Sequence, residues 1–195
     1  MTQNNIKIAI TGGIGSGKST VAKIIKSKGF AVYSCDEIYA ELLKKSRFIE
    51  KIGGEFDGVI INGTLDRKKL ADIVFNDASA LKKLNDLTHV EIMRAAFARM
   101  NDEKLSFLEV PLLFENGYEK FFDSVIVIMR DKAKRIESVV ERDKISANQA
   151  QLRINRQYNY DSDNFMKYYV IHNNDNLAIL EAMVNETIDK IIKKF

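Results

Sequence analysis

The sequence predicts an α/β protein built on a parallel sheet, and three observations carry that reading. A short apolar strand, Ile8 to Ile10, runs into the glycine-rich loop Gly12 to Ser19 and then into a segment whose Val21, Ile24 and Ile25 share one helical face. Strand and helix patterns go on alternating beyond it, as the crossovers of a parallel sheet require. Ser124 to Met129 (SVIVIM) is continuously apolar, the mark of a strand covered on both faces.

Taken in order, the elements are these. Gly29 stops the first helix, and Phe30 to Cys35 reads as a second strand. Asp36 follows and suits a helix cap before EIYAELL. Gly53-Gly54, Gly58 and Asn62-Gly63 read as turns in a weakly patterned stretch, and Asp66 to Phe75 and Ser79 to Met100 read as helices. In the longer of these, Leu84, Leu87, Glu91, Arg94 and Phe97 or Ala98 step at a helical period. Helices with no strand between them imply a helical insertion, a natural receiver for a second substrate. Leu105 to Val110 is the third strand, closed by Pro111, and SVIVIM is the fourth. Asp131 suits a cap for a helix that buries Ile136, Val139 and Val140, and Ser146 to Gln149 is a capping box for the next one. The linker between those two helices, after Arg142-Asp143-Lys144, is the expected lid. Tyr168 to His172 is the last strand, and Leu177, Leu180, Val184, Ile188 and Ile191 form the apolar stripe of a C-terminal helix.

The loop carries the chemistry. Gly12-Gly13-Ile14-Gly15-Ser16-Gly17-Lys18-Ser19 is the G-x-x-x-x-G-K-[ST] pattern. Its glycines let backbone N–H groups turn inward around a phosphate chain, Lys18 adds a mobile charge, and Ser19 offers a hydroxyl to Mg2+. The helix that follows supplies a positive dipole end. In a parallel sheet ligands gather beyond the carboxyl ends of the strands, which puts Asp36 at the edge that carries the loop. That carboxylate serves either as a cap or as the group that orients or deprotonates an acceptor hydroxyl, and both readings stay open. Arg142 in the lid, Arg153 and Arg156 on the next helix, and Arg67 in the insertion are candidates for phosphate contacts. The aromatic residues Tyr158, Tyr160, Phe165, Tyr168 and Tyr169 suit packing of core and lid more than stacking on a base.

The 195 residues and a formal net charge of +3 fit one well-cored domain with a mildly basic surface. No contiguous basic tract points to nucleic acid. Cys35 is the only cysteine, which excludes an intrachain disulfide. The two histidines, His89 and His172, lack companions at zinc-ligand spacing, and His172 reads as structural. No apolar run approaches membrane-spanning length, and the polar lead Met1 to Asn5 is no secretory segment, so a cytoplasmic protein without a membrane is expected. A small-molecule kinase fits these residues better than a motor or a signalling switch.

Several stretches also resemble the dephospho-coenzyme A kinase family along nearly the whole chain. TGGIGSGKST (Thr11 to Thr20) is similar to its phosphate loop, and Ser34-Cys35-Asp36 stands where the family has Asp-Ala-Asp. Asn62 to Arg67 with Leu70 and Val74-Phe75 is similar to D-G-x-L-x-R…L…V-F, Leu84-Asn85…His89 to L-N…H-P, and Arg142-Asp143 with Gln157 to R-D…Q. Val110 to Glu115 matches V-P-L-L-F-E, which a generic phosphate-loop protein has no reason to carry. The chain departs from the family at Ser34, Ala40, Val90, Ser138 and Lys167-Tyr168; Arg135, one turn before Ser138, would on this resemblance substitute for the arginine common there.

The resemblance implies a three-layer P-loop kinase fold with a five-stranded parallel sheet. It implies a single domain over 1–195, holding a helical acceptor-binding region at 36–100 and a lid at 142–157. Gly13, Ile14, Gly15, Ser16, Gly17, Lys18, Ser19 and Thr20 would hold ATP, with Ser19 on Mg2+, Arg142 reaching the phosphates and Asn173 bordering the adenine. Asp36 would be the base for the ribose 3′-hydroxyl, and Arg67, His89, Leu112 and Glu115 would face dephospho-coenzyme A. No protein partner is expected. The alternatives are another nucleotide or nucleoside kinase, or an ATP-binding switch protein.

Overall fold

The computed structural model describes residues 5–161 and 165–195, so the first four residues of the polar lead lie outside it. The chain forms two compact units, Met1–Tyr33 with Met100–Phe195, and Ser34–Arg99.

In chain order the elements are β1 (Ile6–Gly12), α1 (Lys18–Ser27), β2 (Ala31–Ser34), α2 (Cys35–Leu42), α3 (Ser46–Glu55), β3 (Ile60–Ile61), β4 (Thr64–Leu65), α4 (Arg67–Asn76), α5 (Ala78–Met100), β5 (Leu105–Glu109), β6 (Ser124–Met129), α6 (Lys132–Asp143), α7 (Ala147–Asn155), β7 (Tyr169–His172) and α8 (Leu177–Lys194). A five-stranded parallel sheet has the order β2-β5-β1-β6-β7. This is the expected α/β fold. β1 lies between β5 and β6, with Ile10 beside Glu109 and Gly12 beside Ile128, while Met129 at the end of β6 pairs with His172.

The sheet is apolar on both sides of its central strands. Ile8, Ile10, Phe107, Ile126, Ile128 and Ile171 pack with Val21, Ile24 and Ile25 of α1 and Leu180, Val184, Ile188 and Ile191 of α8. Ala9, Leu108, Val125 and Val127, on alternate positions, are also buried. Each fully buried isoleucine stabilises this layer by about 2 kcal/mol. The C-terminal stripe is as expected except at Leu177, which is exposed. Ser146 makes the expected capping box with Gln149, and Gly29, at φ +89°, donates its N–H to Lys26 O and closes α1. Among the described residues no helix is long and apolar enough to cross a membrane.

Four local expectations are corrected. The helix after β2 already includes Cys35, so Ser34 is the N-cap residue and Asp36 lies in the first turn. A carboxylate there still meets the positive end of the dipole. Gly53-Gly54 sits inside α3 instead of in a turn, and glycine is needed at 53 because a Cβ there would collide with the Ile60 side chain of the hairpin packed on that helix. Asn62-Gly63 is the two-residue turn of that hairpin, both residues at positive φ. Asp131 is at the N-cap position of α6 but caps no amide: its carboxylate accepts from Asn174 Nδ2 (2.7 Å) and its own N–H donates to Asn174 Oδ1 (2.9 Å). On α5 the buried stripe is Thr88, Ile92, Met93, Ala96 and Met100, rotated from the one the period picked out. That helix carries apolar residues on most of its faces, so its period alone does not phase it.

Asp66 caps α4 by accepting from the N–H groups of Lys68 (3.1 Å) and Lys69 (3.0 Å). Asp66→Ala is expected to lower the unfolding free energy by about 1 kcal/mol in urea denaturation. An unchanged midpoint would contradict the cap.

Candidate active site

The phosphate loop begins where β1 ends and closes on α1. Gly15 (φ +77°) and Gly17 (φ +94°) take left-handed conformations, and side chains at either would also collide. At Gly15 a Cβ would stand 2.6 Å from the carbonyl oxygen of Arg135, and at Gly17 one would strike the Asn173 amide. The loop therefore needs glycine for its turn and for its neighbours. Ser16 N–H donates to Gly13 O (3.1 Å) and Thr20 N–H to Gly17 O (3.0 Å), while Gly17 gives α1 no side-chain cap. Lys18 Nζ donates to Gly12 O (2.9 Å) and Gly13 O (3.2 Å), which holds the ammonium over the start of the loop. Ser19 Oγ donates to Glu109 Oε1 at the end of β5 (2.7 Å).

Several backbone groups of the loop are engaged by side chains from later in the chain. Asn173, just past β7, donates from Nδ2 to Ser16 O (2.8 Å). Ile14 is held on both sides: its N–H donates to Gln157 Oε1 (2.6 Å) and its carbonyl accepts from Arg135 Nε (3.1 Å). Arg130 Nη1 reaches Gly15 O (3.2 Å) and Ser138 Oγ (2.8 Å). Burial lowers the pKa of Arg135 from its ordinary value, an effect opposed by Asp161 and Tyr160. On the β5 side Thr11 Oγ1 donates to Val110 O (3.0 Å) and lies 3.3 Å from the Tyr160 hydroxyl. Burial pushes the Tyr160 phenol up to about 12.

In the expected lid, Asp143 accepts from Arg142 (Nε to Oδ1, 2.7 Å) and from Arg153 (Nη1 to Oδ2, 2.6 Å). The hydrogen bond from Arg142 holds its carboxyl below the usual carboxylate range. The Arg142 side chain is 62% exposed. After β5, Leu112 has φ +55° and Glu115 Oε1 accepts from Tyr158 N–H (2.9 Å). Phe114 gathers Tyr158, Tyr160, Phe165 and Tyr168, its ring stacked on Phe165 with centroids 5.3 Å apart. These aromatics pack with one another as expected, and Tyr169 packs against the sheet core while its ring also meets Lys194 (5.9 Å).

In the unit Ser34–Arg99, Asp36 is in the first turn of α2, Arg67 begins α4, and His89 lies within α5. Burial raises the Tyr39 phenol above its usual range against the opposing charge of Arg67. Burial lowers the pKa of His89, with Asp86 acting the other way. Among the described residues no group of three or more His, Cys, Asp or Glu side chains could hold a metal ion.

Sequence reasoning missed Glu109 and Arg130 and gave Thr11 and Tyr160 no part in the site. For Glu109 the available signal was a carboxylate at the carboxyl end of a strand beside the loop strand. Arg130 occupies the same edge at the end of β6. Nothing local marks Tyr160, which meets Thr11 across 149 positions of sequence.

The family model for dephospho-CoA kinase, CoaE, matches residues 6–178. The chain belongs to the dephospho-CoA kinase family. Within the family it is 37% identical over 188 residues to the dephospho-CoA kinase of Fusobacterium nucleatum, covering 94% of this chain and 97% of the relative. The enzyme of that name from Helicobacter pylori (strain 26695) is 35% identical over 192 residues, covering 95% and 97%. Among solved structures, the protein TT1252 from Thermus thermophilus superposes with a TM-score of 0.80 at 31% identity, covering 95% of this chain and 97% of that one. The dephospho-CoA kinase of Campylobacter jejuni gives 0.69 at 31% identity, covering 96% and 98%. A shikimate kinase from Bacteroides thetaiotaomicron, 10% identical with a TM-score of 0.58, shares the fold.

The raised Tyr160 phenol has a consequence for stability. Below pH 10 the folded and unfolded phenols are both protonated and the group has no effect on the pH dependence. Between about 10 and 12 the unfolded chain loses this proton while the folded one keeps it, so stability falls as pH rises through that window. Tyr160→Phe is expected to remove that part of the alkaline slope, followed by denaturant midpoints at pH 9 to 11.5 and phenolate absorbance. An unchanged slope would contradict the shift.

Proposed function

We propose that this protein transfers the terminal phosphoryl group of ATP to the ribose 3′-hydroxyl of dephospho-coenzyme A, releasing coenzyme A and ADP. The carrying observation is the family match over residues 6–178, joined to a complete phosphate loop. Membership makes ATP the phosphoryl donor and does not favour a kinase for another acceptor or a binding switch. Transfer is direct: the bond between the terminal phosphorus and the ADP oxygen breaks as one to the 3′-oxygen forms. The hydroxyl proton passes to Asp36, which lies two residues beyond β2. No covalent enzyme intermediate is involved.

Most of the catalytic effect in such a reaction is positioning and charge stabilisation. Residues Gly13 to Thr20 wrap the phosphates, and Lys18 exchanges its loop carbonyls for phosphate oxygen. Asn173 borders the adenine. Arg142 leaves Asp143 for the phosphates when 142–157 closes as a lid and excludes water. Arg67, His89, Leu112 and Glu115 contact the acceptor. Ser19 and Glu109 would hold Mg2+, an ion that prefers hard oxygen ligands such as this pair. When bound it neutralises developing phosphate charge. The reaction needs no protein partner and suits the cytoplasm.

The test is product formation with ATP and Mg2+ across dephospho-coenzyme A, adenosine, AMP, CMP, UMP and no acceptor, with products identified by mass. Coenzyme A from the first alone is expected. A phosphorylated product from another acceptor would overturn the substrate, and ADP without any phosphorylated product would favour the switch. Asp36→Asn is expected to lower turnover by about 100-fold or more, within the range of general-base loss, while ATP affinity changes little. Equal loss of both would make Asp36 structural.

A further inference from the structure

Arg135 is the arginine whose surroundings ask for a ligand. It is 3% exposed, although it lies on α6 among lysines and glutamates that reach solvent. Its Nε is fixed on Ile14 O (3.1 Å), which sets the plane of the guanidinium. Its Nη2 is buried and has no hydrogen-bond partner among the described residues. That nitrogen lies against Gly13, where any side chain would collide with it. The backbone of Arg135 also lies against the loop, at Gly15, where a Cβ would stand 2.6 Å from its carbonyl oxygen.

The electrostatics agree with this geometry. Asp161 and Tyr160 act on the group at a distance, yet no ion pair to Arg135 forms among the described residues, whereas Arg142 and Arg153 share the Asp143 carboxylate. Arginine keeps its charge when buried. A desolvated cation with an unused donor is costly, and an anion brought alongside offsets that cost. In phosphoryl transfer negative charge spreads over the equatorial oxygens of the moving group, which the planar, multi-donor guanidinium suits.

We propose that Arg135 is a catalytic residue of this chain, whose Nη2 donates to a non-bridging oxygen of the nucleotide's terminal phosphate and keeps that contact through transfer. The assignment rests on the phosphoryl-transfer reading above but not on the identity of the acceptor. Ile14 O serves as its rest, so the loop that holds the phosphates also holds the cation in place.

The test measures binding of ADP and of the non-hydrolysable analogue AMP-PNP, each with Mg2+ and no acceptor, to the wild type, Arg135→Gln and Arg135→Lys by calorimetry. Arg135→Gln is expected to weaken AMP-PNP by about 10-fold or more, as for loss of a charge-assisted hydrogen bond, with ADP within about 2-fold. Turnover should fall by about 100-fold, as when one transition-state donor is removed. Equal weakening of both nucleotides, or no change in either, would overturn the proposal and leave Arg135 a brace. Should Arg135→Gln not fold, thermal shifts decide. The extra stabilisation by AMP-PNP over ADP should shrink in Arg135→Lys, and an undiminished increment overturns the assignment. A wild type that discriminates the two nucleotides yet makes no coenzyme A would overturn the acceptor alone.

Discussion

A phosphate loop works only if enough of its N–H groups are left for the ligand while the rest of its backbone finds partners in the protein. Here that requirement is met by side chains: Arg135 on Ile14 O, Arg130 on Gly15 O, Asn173 on Ser16 O, and Gln157 on the Ile14 N–H. Much of the compact unit around the sheet follows from it. The register of β6 and β7 brings Met129 and His172 level, so Arg130 and Asn173, each one residue further on, emerge at the same edge. The order β5-β1-β6 places Glu109 on one flank of the loop strand and Arg130 on the other.

Burial and function are joined at this edge. The isoleucine layers beneath the loop hold the strands in one register, and that register fixes where the polar groups appear. A shift of one residue in β7 would exchange its faces and carry Asn173 away from Gly17. The polar edge is therefore as dependent on hydrophobic packing as the core itself.

Much of the fold was legible because its signals are local. An apolar strand, a glycine-rich turn and an amphipathic helix stand next to one another at Ile8 to Ile25, and SVIVIM coincides with β6. The capping box at Ser146 needs only four residues to be read. Where local signals misled, a tertiary partner had replaced the local one: Gly53 leaves room for Ile60 within a helix, and Asn174 took the carboxylate of Asp131. The phosphate side of the site was written in its own motif, whereas its supports were not. Ile14 meets Arg135 across 121 positions and Gln157 across 143, distances over which spacing carries no information.

Those two contacts on Ile14 bracket the segment expected to act as a lid. Arg135 stands before it on α6, and Gln157 follows α7, so both ends of the segment are moored to a single residue of the phosphate loop. The segment resembles a handle fixed at both ends. Linkage then runs in both directions. A ligand that settled the loop into one arrangement would then bias the handle, and a contact that seized the handle would change the loop's affinity by the same factor.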